Sequence, residues 1–520
     1  MFYHSLNLNR GDWIDSREKG AGVVKTAVIL AAGNGSRLRR ISGSLPKPLV
    51  RVAGVSLIER VMRTALKAGI ESFVIVTGYE SERIRAHVER IPDLCDRVTW
   101  VHNPGYHLPN GGSVLAAREV VSEDFVLLMS DHLFEPEALS HLLRAPRRPG
   151  ECLLGVDRNL SDIFDMEDAT KVCLKGDRIV DIGKSLGAFD GVDTGMFVCS
   201  PRLFEALAAC AIDGQGCSLT DGVRRLAQEG RMAAVDVGQA TWQDVDTPEA
   251  LRHAERMLYR STRKPTDGII SRHLNRAISI QFSKVFIALG VTPNQVSFLT
   301  LLLGLMAAWS ISCGDYAHVA LAGILFQFSS ILDGSDGEVA KLRMNGSRRG
   351  EWLDTLVDCL TYLAFFIGVT VGHYQRTQSS AVLPIGFLSL AVIALTLSIM
   401  YFYLMNTGSG SLRRYVAAFT EMASDRRRHP IYRLLSRLSF ATRRDFFSFT
   451  FCVFALLNRL DWIFAAMILG IAMVTCAVAL SAGRLLRDSG AQALDEKVGI
   501  EEGERRYPGG APISTGSAGS

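Results

Sequence analysis

Four aspartates, Asp333, Asp336, Asp354 and Asp358, stand within "LDGSDGEVAKLRMNGSRRGEWLDTLVD", residues 332–358, between apolar runs of near-membrane length. A carboxylate inside a bilayer is costly and is a functional hypothesis by default. Asp333, Asp336, Gly337 and Ala340 fall at i, i+3, i+4 and i+7, one face of a helix. Gly350, Asp354 and Asp358 recur at intervals of four, again one face of a helix. Two such helices joined by a tight basic loop bring four carboxylates together, and Gly334 and Gly337 keep that face open to a ligand. The cluster repels itself unless divalent cations neutralise it. Hard oxygen ligands suit Mg²⁺, Mn²⁺ or Ca²⁺. The plainer alternative is four aspartates that cap helices.

A second patch is "LAAGNGSRLRRISGSLPKPLV", residues 30–50. An apolar strand runs into Gly33 and Gly35, where backbone N–H groups can approach phosphates closely. Arg37 and Lys47 add positive charge. No G-K-[ST] follows, so this is not a Walker A loop.

Both patches need elements to position them. From about 24 to 252 apolar strands such as "KTAVILAAG", "FVIVTGY" and "FVLLMSDH" alternate with helix-like stretches such as "SLIERVMRTALKAG". That pattern predicts an α/β Rossmann-like domain with sites at the C-terminal ends of parallel strands. Residues 253–266 read as a basic linker. In "DGIISRHLNRAISIQFSKVF", Ile270, Leu274, Ile278 and Phe282 fall at helical spacing, which suits an interfacial amphipathic helix or an ordinary surface helix. Apolar runs follow near 295–313, 316–332, 352–372, 381–405, 446–460 and 462–482. They predict an all-α membrane domain over 267–487 with about six spans, the fifth run being short.

Charge orients these spans. The 341–349 loop carries Lys341, Arg343, Arg348 and Arg349, and segment 406–445 carries Arg413, Arg414, Arg426, Arg427, Arg428, Arg433, Arg437, Arg443 and Arg444. The remaining loops are nearly free of positive charge. The expectation is a multi-pass protein of the cytoplasmic membrane with both termini and both active sites on the cytoplasmic side. The 406–445 segment is equally suited to attracting anionic headgroups. Residues 1–23 read as a polar tail with no apolar signal segment, and 488–520 as a disordered Gly/Ser-rich tail. The net charge of +4 gives no pointer to nucleic acid, and the ten cysteines show no metal-binding spacing.

L-A-A-G-x-G-x-R-L followed by P-K-P-L resembles nucleotidyltransferases that join a nucleoside triphosphate to a sugar or alcohol phosphate. The resemblance implies nucleotide binding by Leu30, Ala31, Ala32, Gly33 and Gly35, with Arg37 and Lys47 as catalytic cations. It implies Mg²⁺ (or Mn²⁺) ligands at Asp131 in "LLMSDHLF" and at Asp244 and Asp246 in "TWQDVDTPEAL". The alternative is turn or helix N-cap residues, since "DTPEA" is a good helix start. "NPGYHLPNGGSVLAA" is similar to the segment that contacts base and ribose, through Asn110, Gly111 and Ser113. Lys184 in "DIGKSLGAFDGVDTGMF" matches the lysine that holds the acceptor's phosphate; otherwise it is a solvated surface residue.

The 332–358 run resembles the CDP-alcohol phosphotransferase signature, D-x-x-D-G-x-x-A-R then G-x-x-x-D-x-x-x-D, and "VTPNQVS" (291–297) matches that family too. The resemblance implies that Gly337, Ala340, Lys341 and Gly350 bind the CDP-alcohol. Asp333, Asp336 and Asp354 would hold Mg²⁺ (or Mn²⁺), and Asp358 would act as general base with a metal contact of its own. Lys341 replaces the motif arginine, which keeps the charge and loses the bidentate fork.

The fusion of both halves, over about residues 24–485, resembles the bifunctional inositol-1-phosphate cytidylyltransferase/CDP-inositol:inositol-1-phosphate transferases. That implies CTP and inositol 1-phosphate as small-molecule substrates, a bilayer setting, and a homodimer through the membrane part. Alternatives are a different polyol phosphate, transfer to a membrane lipid, chemistry at one site only, or a non-catalytic nucleotide sensor.

Overall fold

The computed structural model describes residues 24–38, 43, 45–211, 216–264, 267–407, 415, 443–481 and 483. The two tails and most of the Arg-rich segment, including Arg413, Arg414, Arg426, Arg427, Arg428, Arg433 and Arg437, lie outside the described residues. The chain divides into two compact units, Met1–Arg260 and Ser261–Ser520.

The strands of the first unit are β1 (Thr26–Ala31), β2 (Arg51–Val52), β3 (Val55–Ser56), β4 (Ser72–Thr77), β5 (Val98–His102), β6 (Phe125–Met129), β7 (His132–Phe134), β8 (Cys152–Asp157), β9 (Lys171–Lys175), β10 (Arg178–Gly183), β11 (Gly191–Cys199), β12 (Met232–Asp236) and β13 (Trp242–Asp244). Nine form one sheet in the order β5-β4-β1-β6-β11-β8-β12-β10-β9. The β5-β4-β1-β6 half is parallel, and β11 runs antiparallel between β6 and β8. On β1, Ala27, Ile29 and Ala31 enter the core on one face, while Val28 enters the core on the other. Burial on both faces explains why this strand is a continuous apolar run. The chain turns one way from β1 to β4 and lies on the other side at β6. This is a topological switch point, where a crevice opens at the strand ends.

Helices build the flanks. α1 (Leu57–Ala68) starts at Ser56, whose side chain caps the Glu59 N–H, and stops at Gly69 in the left-handed region. α2 (Gly111–Ala116) faces the crevice, α3 (Arg202–Cys210) packs against α4 (Leu219–Gln228), and α5 (Pro248–Ser261) closes the unit.

The second unit is helical: α6 (Arg276–Ala288), α7 (Pro293–Ser312), α8 (Tyr316–Leu342), α9 (Arg348–Thr377), α10 (Val382–Thr407), α11 (Arg444–Leu456) and α12 (Leu460–Ser481). Five of these, α7 to α10 and α12, are long and apolar enough to cross a membrane. The fifth apolar run, 446–460, carries the 13-residue α11, the short member expected beside these five, in line with about six spans. α11 packs against α8 and contributes Phe447 and Phe451 to an aromatic core around Phe326 and Phe365, whose rings stack at 3.9 Å. α7 and α9 approach closely: a Cβ at Gly368 or Gly372 would strike the Ala308 or Ile311 carbonyl. Small residues at such spacing let membrane helices touch backbone to backbone.

α6 and the turn before it bury polar groups and expose apolar ones. Asn275, Arg276, Ser279 and Ser283 are buried, while Ile269, Leu274, Val285 and Leu289 are exposed. Ile280 and Ile287 are buried beside the polar groups, and Gln281 and Lys284 are exposed beside the apolar ones, so the outward face is mixed. Arg276 forms ion pairs with Asp267 at 2.9 Å and Glu338 at 2.6 Å, and Glu338 also accepts from Ser279 Oγ and Ser283 Oγ. The Glu338 side chain is 1% exposed, so its charge depends on these donors.

Candidate active sites

The first site is a cleft of about 350 Å³ lined by Leu30, Ala32, Gly33, Gly35, Arg37, Lys47, Asn110, Ser113, Asp131 and Asp246, among others. Gly33 follows the end of β1, and a Cβ there would meet nothing within 4 Å. Gly35 sits at φ +57°, and a Cβ on it would strike Lys47 Cβ at 2.5 Å. The turn therefore needs glycine both for its backbone and to admit Lys47. Of the remaining nucleotide residues, Ala31 turns into the core and Gly111 packs against the Cys217 carbonyl. Asn110 Oδ1 accepts from Leu219 N–H at 2.9 Å, which ties this turn to the start of α4. Ser113 Oγ accepts from Asn103 Nδ2 at 3.0 Å.

Asp131 follows β6 at the switch point. β13 pairs antiparallel with β7, setting Asp244 opposite His132, and Val245 N–H donates to the Asp131 carbonyl at 3.1 Å. Ligand atoms of Asp131, His132 and Asp244 consequently lie within 4.8 Å of one another. One Asp244 oxygen, Oδ1, is buried without a hydrogen bond, as a carboxylate shaped for a cation would be. Asp246 lines the same cleft: it pairs with Lys47 and lies 3.2 Å from Arg37 Nη1. Lys47 also pairs with Asp131 and stands 3.8 Å from Asp244.

The charges shape the titration. Burial opposes protonation of His132, yet Asp244 and Asp131 outweigh it and raise its pKa to about 9. Burial also opposes ionisation of Asp131, but Lys47 and His132 hold its carboxyl well below the usual range. Burial pushes Asp193, on β11, up to about 6.

Lys184 is half exposed, and its Nζ donates to Asp168 Oδ1 at 2.7 Å. Asp168 Oδ2 accepts from Arg37 Nη1 at 2.6 Å. Sequence reading misses His132 and Asp168. His132 adjoins Asp131 in "SDHLF", a local signal that a search for ligands could use. Asp168 gives none, since its partner Arg37 is 131 positions away.

The second site lies on α8 and α9. Asp333 and Asp336 from α8 and Asp354 from α9 present oxygens within 4.8 Å of one another. Ser347 starts α9, its side chain accepting from Gly350 N–H at 3.1 Å, so Gly350 serves the helix start. Gly337 is open: a Cβ there would meet nothing within 4 Å. Ser297, last residue of "VTPNQVS", donates to Asp336 Oδ2 at 2.8 Å. The rest of that run starts α7: Thr292 and Gln295 form a capping box around Pro293. Asp358 stands outside the three-carboxylate set and pairs with Arg444, which also reaches Asp333 at 2.5 Å and lies over the Tyr362 ring. Arg444 belongs to the Arg-rich segment, whose charge speaks to topology and headgroup attraction; charge counting gives no sign of this contact. Ala340 is buried less deeply than its neighbour Val339. Lys341 Nζ donates to the Ser261 carbonyl at 2.5 Å, a main-chain contact that needs no guanidinium fork.

Both constellations fit a divalent cation: clustered hard oxygen donors, with an imidazole in the first, and carboxylate oxygens close enough to repel without one. Comparison with known proteins follows the same division. Residues 27–230 match the family described as MobA-like NTP transferase domain, and residues 290–478 match CDP-alcohol phosphatidyltransferase. The chain is 36% identical over 414 residues to the "Bifunctional IPC transferase and DIPP synthase" of Rubrobacter xylanophilus, covering 79% of this chain and 90% of the relative. A protein of the same description from Aquifex aeolicus is 32% identical over 86% of this chain and 95% of its own length. One from Thermococcus kodakarensis is 37% identical over 65% of this chain and 73% of its own.

Proposed function

The chain belongs to the family of bifunctional IPC transferase and DIPP synthase, and on that footing we propose how its two units divide the chemistry. It is a bifunctional transferase. In the first step CTP and inositol 1-phosphate give CDP-inositol and pyrophosphate. In the second, CDP-inositol and another inositol 1-phosphate give phosphorylated di-inositol phosphate and CMP. The observation that carries this reading is that each unit holds its own triad of candidate ligands, in one chain whose relatives align across both.

In the first unit Asp131, Asp244 and Asp246 would hold Mg²⁺, with His132 beside them; in the second Asp333, Asp336 and Asp354 would. Such an ion, when bound, neutralises charge on phosphate oxygens and fixes their positions. Gly33 and Gly35 offer backbone N–H groups to the triphosphate. Lys184 holds the acceptor phosphate, whose oxygen attacks the α-phosphorus as pyrophosphate leaves. Arg37 and Lys47 face the charge that develops. No protein nucleophile is required. In the second unit Asp358, outside the ligand triad, takes the proton of the acceptor hydroxyl. The hydroxyl oxygen then attacks the β-phosphorus, and CMP leaves. Asp358 must first exchange its contact with Arg444.

The five apolar helices and the mixed outward face of α6 support an integral membrane protein with α6 at the interface. The basic 341–349 loop supports a cytoplasmic position for both sites in the cytoplasmic membrane. A homodimer through the membrane unit is part of the same proposal; a purely monomeric species in mild detergent crosslinking would remove it.

The test uses membranes that contain the protein, Mg²⁺, labelled CTP and a panel of polyol phosphates. Pyrophosphate, CDP-alcohol and CMP are followed separately. Inositol 1-phosphate alone should yield CDP-inositol, then CMP and a water-soluble diester. Activation of another polyol phosphate, or CMP release only on adding lipid, would contradict the inositol assignment.

A further inference from the structure

Asp168 is the anion that joins the two cations assigned to phosphate in the first unit. Its two oxygens are used separately: Oδ2 accepts from Arg37 Nη1 at 2.6 Å, and Oδ1 from Lys184 Nζ at 2.7 Å. A phosphate monoester, with several oxygens on one centre, would bridge the same pair of donors in the same manner. The loop that carries Asp168 is anchored at both sides of this contact. Phe164 packs against His253 of α5 with ring centroids 4.2 Å apart and the planes tilted by 33°. Lys171 Nζ donates to the Lys184 carbonyl at 2.8 Å, which holds the main chain of Lys184 beside β9.

We propose that Asp168 is the resident counter-anion of the acceptor-phosphate subsite. It holds Arg37 and Lys184 together before substrate binds, and the incoming phosphate monoester displaces it. This rests on the assignment of Lys184 and Arg37 to phosphate given above. Asp168 is thus a positioning residue that sets the affinity threshold for phosphate. It acts on any small phosphate that competes for Arg37 and Lys184, because each must displace the same carboxylate.

The test compares wild type, Asp168→Asn and Asp168→Glu as the full chain in detergent. The asparagine variant should lower the KM for inositol 1-phosphate in pyrophosphate release by about three- to thirtyfold, the range expected for losing two partly exposed ion pairs. kcat should change less than KM. Inhibition by inorganic phosphate should strengthen in parallel, and Asp168→Glu should restore the higher KM. A raised KM, or unchanged KM and phosphate inhibition, would overturn the proposal, since a merely structural carboxylate predicts one or the other. Calorimetric titration with inorganic phosphate reads the same subsite without turnover. If no phosphate monoester supports pyrophosphate release by wild type, the functional assignment fails. Tighter binding of inorganic phosphate by Asp168→Asn would still uphold the counter-anion, and equal binding would sink it.

Discussion

In the first unit, Asp131, His132 and Asp244 meet because two short strands, β7 and β13, pair across the mouth of a sheet. In the second, Asp333, Asp336 and Asp354 meet because two consecutive helices each repeat their carboxylates along one face. Each site also contains a cation from a distant part of the chain: Lys47 in one pairs with three carboxylates, and Arg444 in the other pairs with two. The electrostatic problem is shared, since clustered carboxylates need positive charge nearby. The scaffolds differ. A strand-end site gathers residues from many loops, so its geometry depends on long-range pairing. A helix-face site is written in local spacing.

That division can be attacked one residue at a time. The largest effect is expected from Asp358→Asn. CMP release should fall by about 10²- to 10⁴-fold, the usual contribution of a general base, while pyrophosphate release continues. Separate assays of the two products check this, and loss of both would break the division. Lys47→Ala should lower pyrophosphate release by about 10²- to 10³-fold, as for a lost electrostatic stabiliser. CMP release from supplied CDP-inositol should persist, so feeding that intermediate is the check.

The next effect is on stability. Glu338→Ala leaves Arg276 buried with one fewer carboxylate and deprives Ser279 and Ser283 of their acceptor. Breaking a buried ion pair costs about 3–5 kcal/mol. Denaturant unfolding in detergent should show that loss in the second unit, with pyrophosphate release unchanged by the first. The smallest effect concerns His87, whose Nε2 is hydrogen-bonded to Ser56 Oγ at the start of α1. Burial lowers the pKa of His87 below its ordinary value. The unfolded chain therefore binds this proton more readily, so stability falls as pH drops through about 6.5, the unfolded value, toward the lower folded one. His87→Gln should flatten that part of the stability–pH curve for the first unit. A curve identical to wild type would refute the linkage.

The contrast also explains what can be read without coordinates. Asp333, Asp336, Asp354 and Asp358 are placeable because a helix turns three or four positions into one face. Gly33, Gly35, Arg37 and Lys47 are placeable because an apolar strand ending in glycines has few folded outcomes. The partner sets are less legible. The motif predicts Asp246 among the metal ligands, and it shares Lys47 with Asp131 in the cleft, while His132, which the motif does not name, stands with Asp131 and Asp244. On an extended segment a two-residue spacing gives the side but not the partner, which β-pairing decides. Arg444 and Asp168 lie in segments whose local pattern reads as loop, and only the fold brings them to their sites. The 446–460 run shows the limit of hydropathy. It is apolar enough to suggest a span, and hydropathy does not show that its phenylalanines join those of α8 and α9 in the helical core of the second unit.

The most direct test of the two-site account is a mixing experiment. Membranes carrying Lys47→Ala and membranes carrying Asp358→Asn are each given CTP, inositol 1-phosphate and Mg²⁺, alone and combined, and CMP is measured. Neither alone should release CMP at more than a small fraction of the wild-type rate. Together they should, because one supplies the CDP-inositol that the other consumes. If the mixture stays inactive and Lys47→Ala membranes also fail on supplied CDP-inositol, the two chemistries are not separable between the units, and the account is wrong.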